Sequence, residues 1–236
     1  MIRVRGQVIR ENIIKVREQV ARACAVSGRQ SSDVALIAIT KNRVPEEIIQ
    51  AIDSGISDIG ENKVQEISRK IGQLRPVLDG NNVRLHMVGH LQTNKVKEAV
   101  KLFDLIHSVD SVKLAAEIDK EAQKISKLQD ILVQVNTSYE ESKSGFAPQE
   151  VIESVLEIAK LRNISIKGLM TMAPVVKDSQ EARVFFKNLR DIRDKINGLA
   201  VTSFPLKHLS MGMSDDFEAA VQEGATMIRV GRAIFE

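Results

Sequence analysis

Lys41 stands two residues beyond an apolar run, Val34-Ala35-Leu36-Ile37-Ala38-Ile39, and is followed by Asn42, Arg43, Val44 and Pro45. Six apolar residues rich in β-branched types read as a strand buried on both faces. Pro45 suits the first turn of a helix, where its missing N–H breaks no bond. Lys41 therefore falls at the carboxyl end of a strand, where closed α/β folds gather their chemistry. A lysine held there beside apolar walls is desolvated, which lowers its pKa and makes its amine a usable nucleophile.

Two later segments carry glycine turns of a different kind. Ser210-Met211-Gly212-Met213-Ser214-Asp215 leads from an apolar run into a helical pattern, and Arg229-Val230-Gly231-Arg232 ends the last apolar run. Glycine lets backbone N–H groups approach a ligand closely, and the unpaired N–H groups of a helix start favour an anion. A nucleophilic lysine on one side and a phosphate cradle on the other suit pyridoxal phosphate. Its aldehyde would form a Schiff base with Lys41 while its phosphate sits opposite.

The elements that must position these groups follow from the hydrophobic pattern. After an N-terminal helix over 4–27, short apolar runs appear at 34–39, 56–59, 84–88, 105–109, 131–135, 164–170, 205–209 and 227–230. Helical patterns lie between them, at 45–54, 94–101, 111–126, 148–162, 179–197 and 215–223. Eight strands alternating with helices predict an α/β fold, a single (β/α)8 TIM barrel with an extra N-terminal helix, spanning 1–236 as one domain. In such a barrel the loops after strands seven and eight form the recurring phosphate site. The predicted strand ends also carry Gly60-Glu61-Asn62, Gly89-His90-Leu91-Gln92, Ser108-Val109-Asp110, Asn136-Thr137 and Thr171.

Composition narrows the function classes. The 236 residues are 43% hydrophobic and 28% charged with a net charge of +3, so the chain can bury a full core and is no polycation. With no tryptophan and one tyrosine, a base-stacking surface for nucleic acid is excluded. Cys24 is the sole cysteine and falls on the apolar face of the first helix, so it reads as core packing in a reducing, cytoplasmic compartment. No segment has the ~20 consecutive apolar residues of a membrane span, and residues 1–10 lack the apolar core of a secretion signal. His86 and His90 straddle a strand end without a third ligand, so they read as packing or loop hydrogen bonds, not as a metal site. Lys95, Lys97 and Lys101 read as a solvated helix face.

Several segments, in order from about residue 34 onward, resemble the pyridoxal phosphate homeostasis protein family. They are Ala38-Ile39-Thr40-Lys41, Gly60-Glu61-Asn62, His86 to Lys95, Val135-Asn136 with Ser142-Lys143-Ser144-Gly145, Gly168 to Met172, Leu209 to Ser214, and Ile228 to Gly231. The resemblance implies the barrel of the alanine racemase N-terminal domain and pyridoxal 5'-phosphate held covalently on Lys41. It further implies phosphate contacts from Ser210, Gly231 and Arg232, with Arg229 facing the pyridine nitrogen and Asn62 near the ring. Arg232 departs from the small hydroxyl residue common in the family. A backbone contact survives that change, whereas a side-chain hydroxyl contact does not.

Three function classes remain from this reading: a racemase, a cofactor carrier and a signalling protein that acts through a protein partner. A racemase would need a second base across the cofactor from the lysine. Related racemases take a tyrosine from a separate β-domain, whereas Tyr139 is the sole tyrosine here and reads as an exposed loop residue. A cationic Arg229 also keeps the pyridine nitrogen unprotonated, which makes the ring a poor electron sink. A monomeric carrier that buffers or delivers pyridoxal phosphate to recipient apo-enzymes, in vitamin B6 homeostasis and amino-acid balance, fits better.

Overall fold

A computed structural model describes residues 2–140, 143–202 and 204–236, with side chains from residue 5 onward. Its strands are β1 (Ala35–Ile39), β2 (Asp58–Glu61), β3 (Arg84–Met87), β4 (Leu105–Val109), β5 (Gln129–Gln134), β6 (Ile164–Met170), β7 (His208–Ser210) and β8 (Met227–Val230). All pair in parallel in sequence order, and β8 returns to β1 through Ala35↔Met227 and Ala38↔Val230, which closes the barrel. The helices are α1 (Ile2–Val26), α2 (Pro45–Asp53), α3 (Val64–Gly80), α4 (Val96–Leu102), α5 (Val112–Gln123), α6 (Val151–Ile158), α7 (Arg183–Gly198), α8 (Phe217–Gln222) and α9 (Arg232–Phe235).

The continuous apolar runs arise because both faces of each strand are covered. Ala38, Ile59, Ile106, Val133, Leu169, Leu209 and Ile228 face the helices. The alternate positions Ile37, Leu105, Leu132, Met170 and Met227 pack together inside the barrel. By the same alternation Asp58, His86, His107, Ser210 and Arg229 point inward, and all five are buried. The barrel interior is thus apolar with one polar file through it.

Helix α1 lays Ile9, Ile13, Val16, Val20 and Cys24 into the core at helical spacing. It packs against α2, α8 and α9. Asn12 Nδ2 donates to the Ile234 and Glu236 carbonyls at 3.1 and 3.2 Å, so α1 fixes the short helix that follows β8.

Among the elements whose bounds differ from the sequence reading, three have a clear local cause. The second strand begins at Asp58, because Ile56 donates its N–H to Ala51 (3.1 Å) and belongs to the glycine stop of α2. The seventh begins at His208, because Leu206 exchanges hydrogen bonds with the Asn197 amide at 2.7 and 3.1 Å instead of with a strand. Helix α3 is absent from that reading, since Gly72 and Pro76 interrupt its pattern. Both are exposed, so the carbonyl that loses its donor at Pro76 meets water, while Val64, Ile67, Leu74 and Leu78 keep the buried face.

Candidate functional site

Lys41 lies in the turn after β1, and the residue before it is pinned. Thr40 donates its hydroxyl to Glu61 Oε1 at 2.7 Å, and Lys70 Nζ lies 3.3 Å from the Thr40 carbonyl and 3.4 Å from that carboxylate. Burial pushes the Glu61 carboxyl above its ordinary value, against the opposing pull of Thr40 and Lys70. Asn42, at φ +60°, donates its N–H to Glu66 at 3.2 Å and holds the turn from the other side. Lys41 itself is exposed and makes no hydrogen bond or ion pair among the described residues. This corrects the expectation of a desolvated lysine: β1 ends at Ile39, and the turn carries the side chain out to the cavity mouth.

Arg229 presents the opposite case. It is 5% exposed, and burial lowers its pKa to about 10, which still leaves it charged at neutral pH. Its Nη1 donates to Ser210 Oγ at 2.6 Å and its Nη2 to the Thr171 carbonyl at 2.8 Å. No carboxylate forms an ion pair with it among the described residues.

The turn between β7 and α8 needs its glycine. Gly212 has φ +93°, and a Cβ there would come within 2.6 Å of Ala220 Cβ and 2.9 Å of Phe217 Cα. Its carbonyl accepts the Arg229 N–H at 3.0 Å, so the turn is tied to β8. Asp216 accepts the Met213 N–H at 2.5 Å, and Ser214 Oγ accepts the Ala233 N–H at 3.4 Å. Arg232 reaches Asp215 in an exposed ion pair.

These parts line one cavity of about 530 Å3, within the range of small-molecule sites. Lys41, Asn62, Arg229, Gly231 and Arg232 border it with apolar Ile39, Val88, Met172 and Met213. Five of the six expected site residues are therefore brought together. Ser210 is not: it is fully buried beneath the cavity, with its hydroxyl engaged by Arg229 and, at 2.8 Å, by His107 Nδ1. Ser214, from the same motif, lines the cavity instead. Ser108 and Thr171, expected at strand ends, are also buried and do not line the cavity. Gln134 was missed, although stepping by two from inward Leu132 along the fifth strand reaches it.

Tyr139 is exposed in the loop after β5 and does not border the cavity. Ser142 of the expected motif lies outside the described residues. His90 Nδ1 meets the Asp110 carboxylate at 3.1 Å, a loop contact. Among the described residues no group of three His, Cys, Asp or Glu could hold a metal ion. No helix of the described residues is long and apolar enough to cross a membrane.

A closed parallel barrel with lysine after its first strand and arginine on its eighth defines the class. The alanine racemase N-terminal domain model matches residues 8–236. An alanine racemase from Clostridium difficile superimposes with a TM-score of 0.71 at 15% identity, over 97% of this chain and 56% of the racemase, a likeness of fold alone. A pyridoxal phosphate homeostasis protein from Aquifex aeolicus is 38% identical over 225 residues, 95% of this chain and 96% of that protein. PipY of Synechococcus elongatus, solved with PLP bound, is 32% identical with a TM-score of 0.83, over 97% of this chain and all of the other. The chain belongs to the pyridoxal phosphate homeostasis protein family.

Proposed function

We propose that this chain binds pyridoxal 5'-phosphate in the cavity between Lys41 and Arg229, covalently through Lys41. It would serve intracellular vitamin B6 homeostasis and amino-acid balance by holding and releasing the cofactor, without efficient turnover. The observation that carries the reading is the pairing of an exposed, unpartnered lysine with a buried, charged arginine on one cavity, in a member of this family.

The residues present fit the group. Ile39, Val88, Met172 and Met213 offer apolar surface for a flat ring, while Asn62, Ser214, Gly231 and Arg232 offer a polar margin for its substituents. When bound, pyridoxal phosphate supplies an electrophilic aldehyde and a ring that can accept electrons. Lys41, once deprotonated, would attack the aldehyde carbon, and the aldehyde oxygen would leave as water. Arg229 is a donor only, so it would give an N–H to the pyridine nitrogen and keep that nitrogen unprotonated. Gly231 and Arg232 would meet the phosphate. Ser210 takes a different role from the one implied by resemblance, holding Arg229 from beneath.

Non-catalytic function is supported by a cavity lining that does not include Tyr139, the chain's one tyrosine, and by the neutral ring nitrogen that Arg229 would enforce. The whole of 1–236 would act as one monomeric cofactor-binding unit in the cytoplasm, with recipient apo-enzymes as partners. The test is an absorbance spectrum of the purified protein, followed by titration with D- and L-amino acids. A yellow, Lys41-dependent band that changes slowly without product fits the carrier. Rapid conversion of the amino acid, lost in Lys41→Ala, would overturn it in favour of a racemase.

A further inference from the structure

The polar file inside the barrel links the cavity to the opposite end of the strands. From Arg229 Nη1 it passes to Ser210 Oγ at 2.6 Å, from Ser210 Oγ to His107 Nδ1 at 2.8 Å, and from His107 Nε2 to His86 Nδ1 at 2.9 Å. It ends where His86 Nε2 meets Asp58 Oδ1 at 2.9 Å. His86, His107 and Ser210 are fully buried, and Asp58 is 4% exposed. Asp58 is pinned in turn by Ser57 Oγ at 2.8 Å and by Arg84, whose Nε and Nη2 lie 2.9 and 2.7 Å from Oδ1.

The Asp58 end decides the direction of the bonds along the file. Arg229 can only donate and an ionised carboxylate can only accept, whereas a hydroxyl and a neutral imidazole each do one of both. Burial pushes the Asp58 carboxyl up, but the hydrogen bonds from His86 and Ser57 and the charge of Arg84 hold the carboxyl below its ordinary value. Burial, reinforced by the charge of Arg229, lowers the His107 pKa well below its ordinary value and keeps the ring neutral. When the His86 ring carries one proton, Asp58, which only accepts, places it on Nε2, and one arrangement then satisfies all four contacts. His86 carries its proton on Nε2, His107 carries its proton on Nε2, and the Ser210 hydroxyl donates to His107 Nδ1. The Ser210 lone pair is then turned to Arg229. Reversing the file would set two acceptors, a bare His86 Nε2 and the Asp58 carboxylate, against each other.

We infer that Arg229, Ser210, His107, His86 and Asp58 form a one-way hydrogen-bond relay, in which His107 is a positioning residue that orients the Ser210 hydroxyl and thereby fixes the Arg229 guanidinium at the cavity. What Arg229 then touches rests on the proposed cofactor reading; the relay itself does not. The buried cation is thus favoured both by the charge of Asp216 and by a file of oriented dipoles that connects it to Asp58 across the barrel. Asp58 thus acts on the cavity from two residues beyond any contact with Arg229 or its neighbours in the site.

The test has two parts. Nitrogen-15 NMR of the histidine rings in cofactor-free protein is expected to give Nε2–H and bare Nδ1 for both His86 and His107. In Asp58→Leu, which removes the final acceptor, His107 is expected to become a mixture of tautomers. A His107 protonated on Nδ1 in the wild type, or one unchanged in Asp58→Leu, overturns the relay whether or not any cofactor binds. The second part reads equilibrium binding of pyridoxal phosphate and the absorption maximum of the bound form in Asp58→Leu and His107→Phe. Affinity is expected to fall several-fold, with a shifted maximum and the Lys41 adduct still formed. Binding and maximum unchanged in both variants overturn the positioning role, whereas a wild type that binds no pyridoxal phosphate contradicts the proposed function and leaves the NMR result to judge the relay.

Discussion

Arg229 and Ser210 meet at 2.6 Å, guanidinium donor to hydroxyl acceptor, beneath the cavity that Arg229 borders. The hydroxyl that the sequence reading turned toward a phosphate is therefore spent on an arginine. That contact makes β7 and β8 act as a unit: one strand supplies the charged group and the other supplies the atom that aims it.

Ser210→Ala is expected to leave one Arg229 N–H and His107 Nδ1 without a partner. A hydrogen bond to a charged group contributes about 1.5–3 kcal/mol, and a loss of that order should appear in chemical denaturation of the cofactor-free protein. A direct phosphate ligand exposed at the cavity would instead leave the cofactor-free stability nearly unchanged.

Gly212→Ala and Gly231→Val should behave differently although both change a glycine near the cavity. A non-glycine residue at φ +93° costs roughly 1–2 kcal/mol, and the Gly212 variant also crowds Phe217 and Ala220. It is expected to lower thermal stability and to disturb Arg229 through the Gly212 carbonyl. A Cβ at Gly231 meets only Ile39, at 3.4 Å. Gly231→Val should therefore fold normally and lose cofactor retention in equilibrium dialysis, because its branches enter the cavity.

Acid stability tests the far end of the relay. The Asp58 carboxyl lies below its ordinary value of 3.8 in the folded chain, so the unfolded chain binds more protons between the two values. Stability contributed by Asp58 is fully present above about pH 4 and is lost as pH falls through the folded value. Glu61 and Asp216, whose carboxyls burial raises, contribute in the opposite sense. Urea unfolding from pH 5 downward should therefore show a slope in the wild type that is flattened in Asp58→Leu.

The barrel was legible because its strands are covered on both faces. The runs Leu105–Val109, Ile164–Met170 and Met227–Val230 carry the same bounds in sequence and structure. What misled the reading was local competition. Asn197 captures Leu206 before β7, Ile56 serves the end of α2, and Gly72 with Pro76 mask α3 on its solvent side. For the site, strand-end position pointed to Lys41 and to the glycine turn at Gly231, and the family resemblance added Asn62, Arg229 and Arg232. It did not say which way each side chain points. Ser210 is an inward residue by alternation with Leu209, and Lys41 rides a turn whose direction is set by Glu66 and Asn42.

Turnover provides a further check. On the proposed reading, with Arg229 keeping the ring nitrogen neutral and Tyr139 outside the cavity lining, common L-amino acids incubated with stoichiometric loaded protein in deuterated buffer are expected to show no multiple-turnover racemisation by chiral chromatography. Turnover to the D-isomer that disappears in Lys41→Ala would restore the racemase reading, and its further loss in Tyr139→Phe would identify the second base.

The central claim is that pyridoxal phosphate is carried on Lys41. The most direct measurement is peptide mass spectrometry after borohydride reduction of the loaded protein. The account predicts one reduced pyridoxyl-phosphate adduct, on the peptide containing Lys41, and none on the same peptide of Lys41→Ala. An adduct on a different lysine, or no adduct in a protein that remains folded and saturated with pyridoxal phosphate, would contradict it.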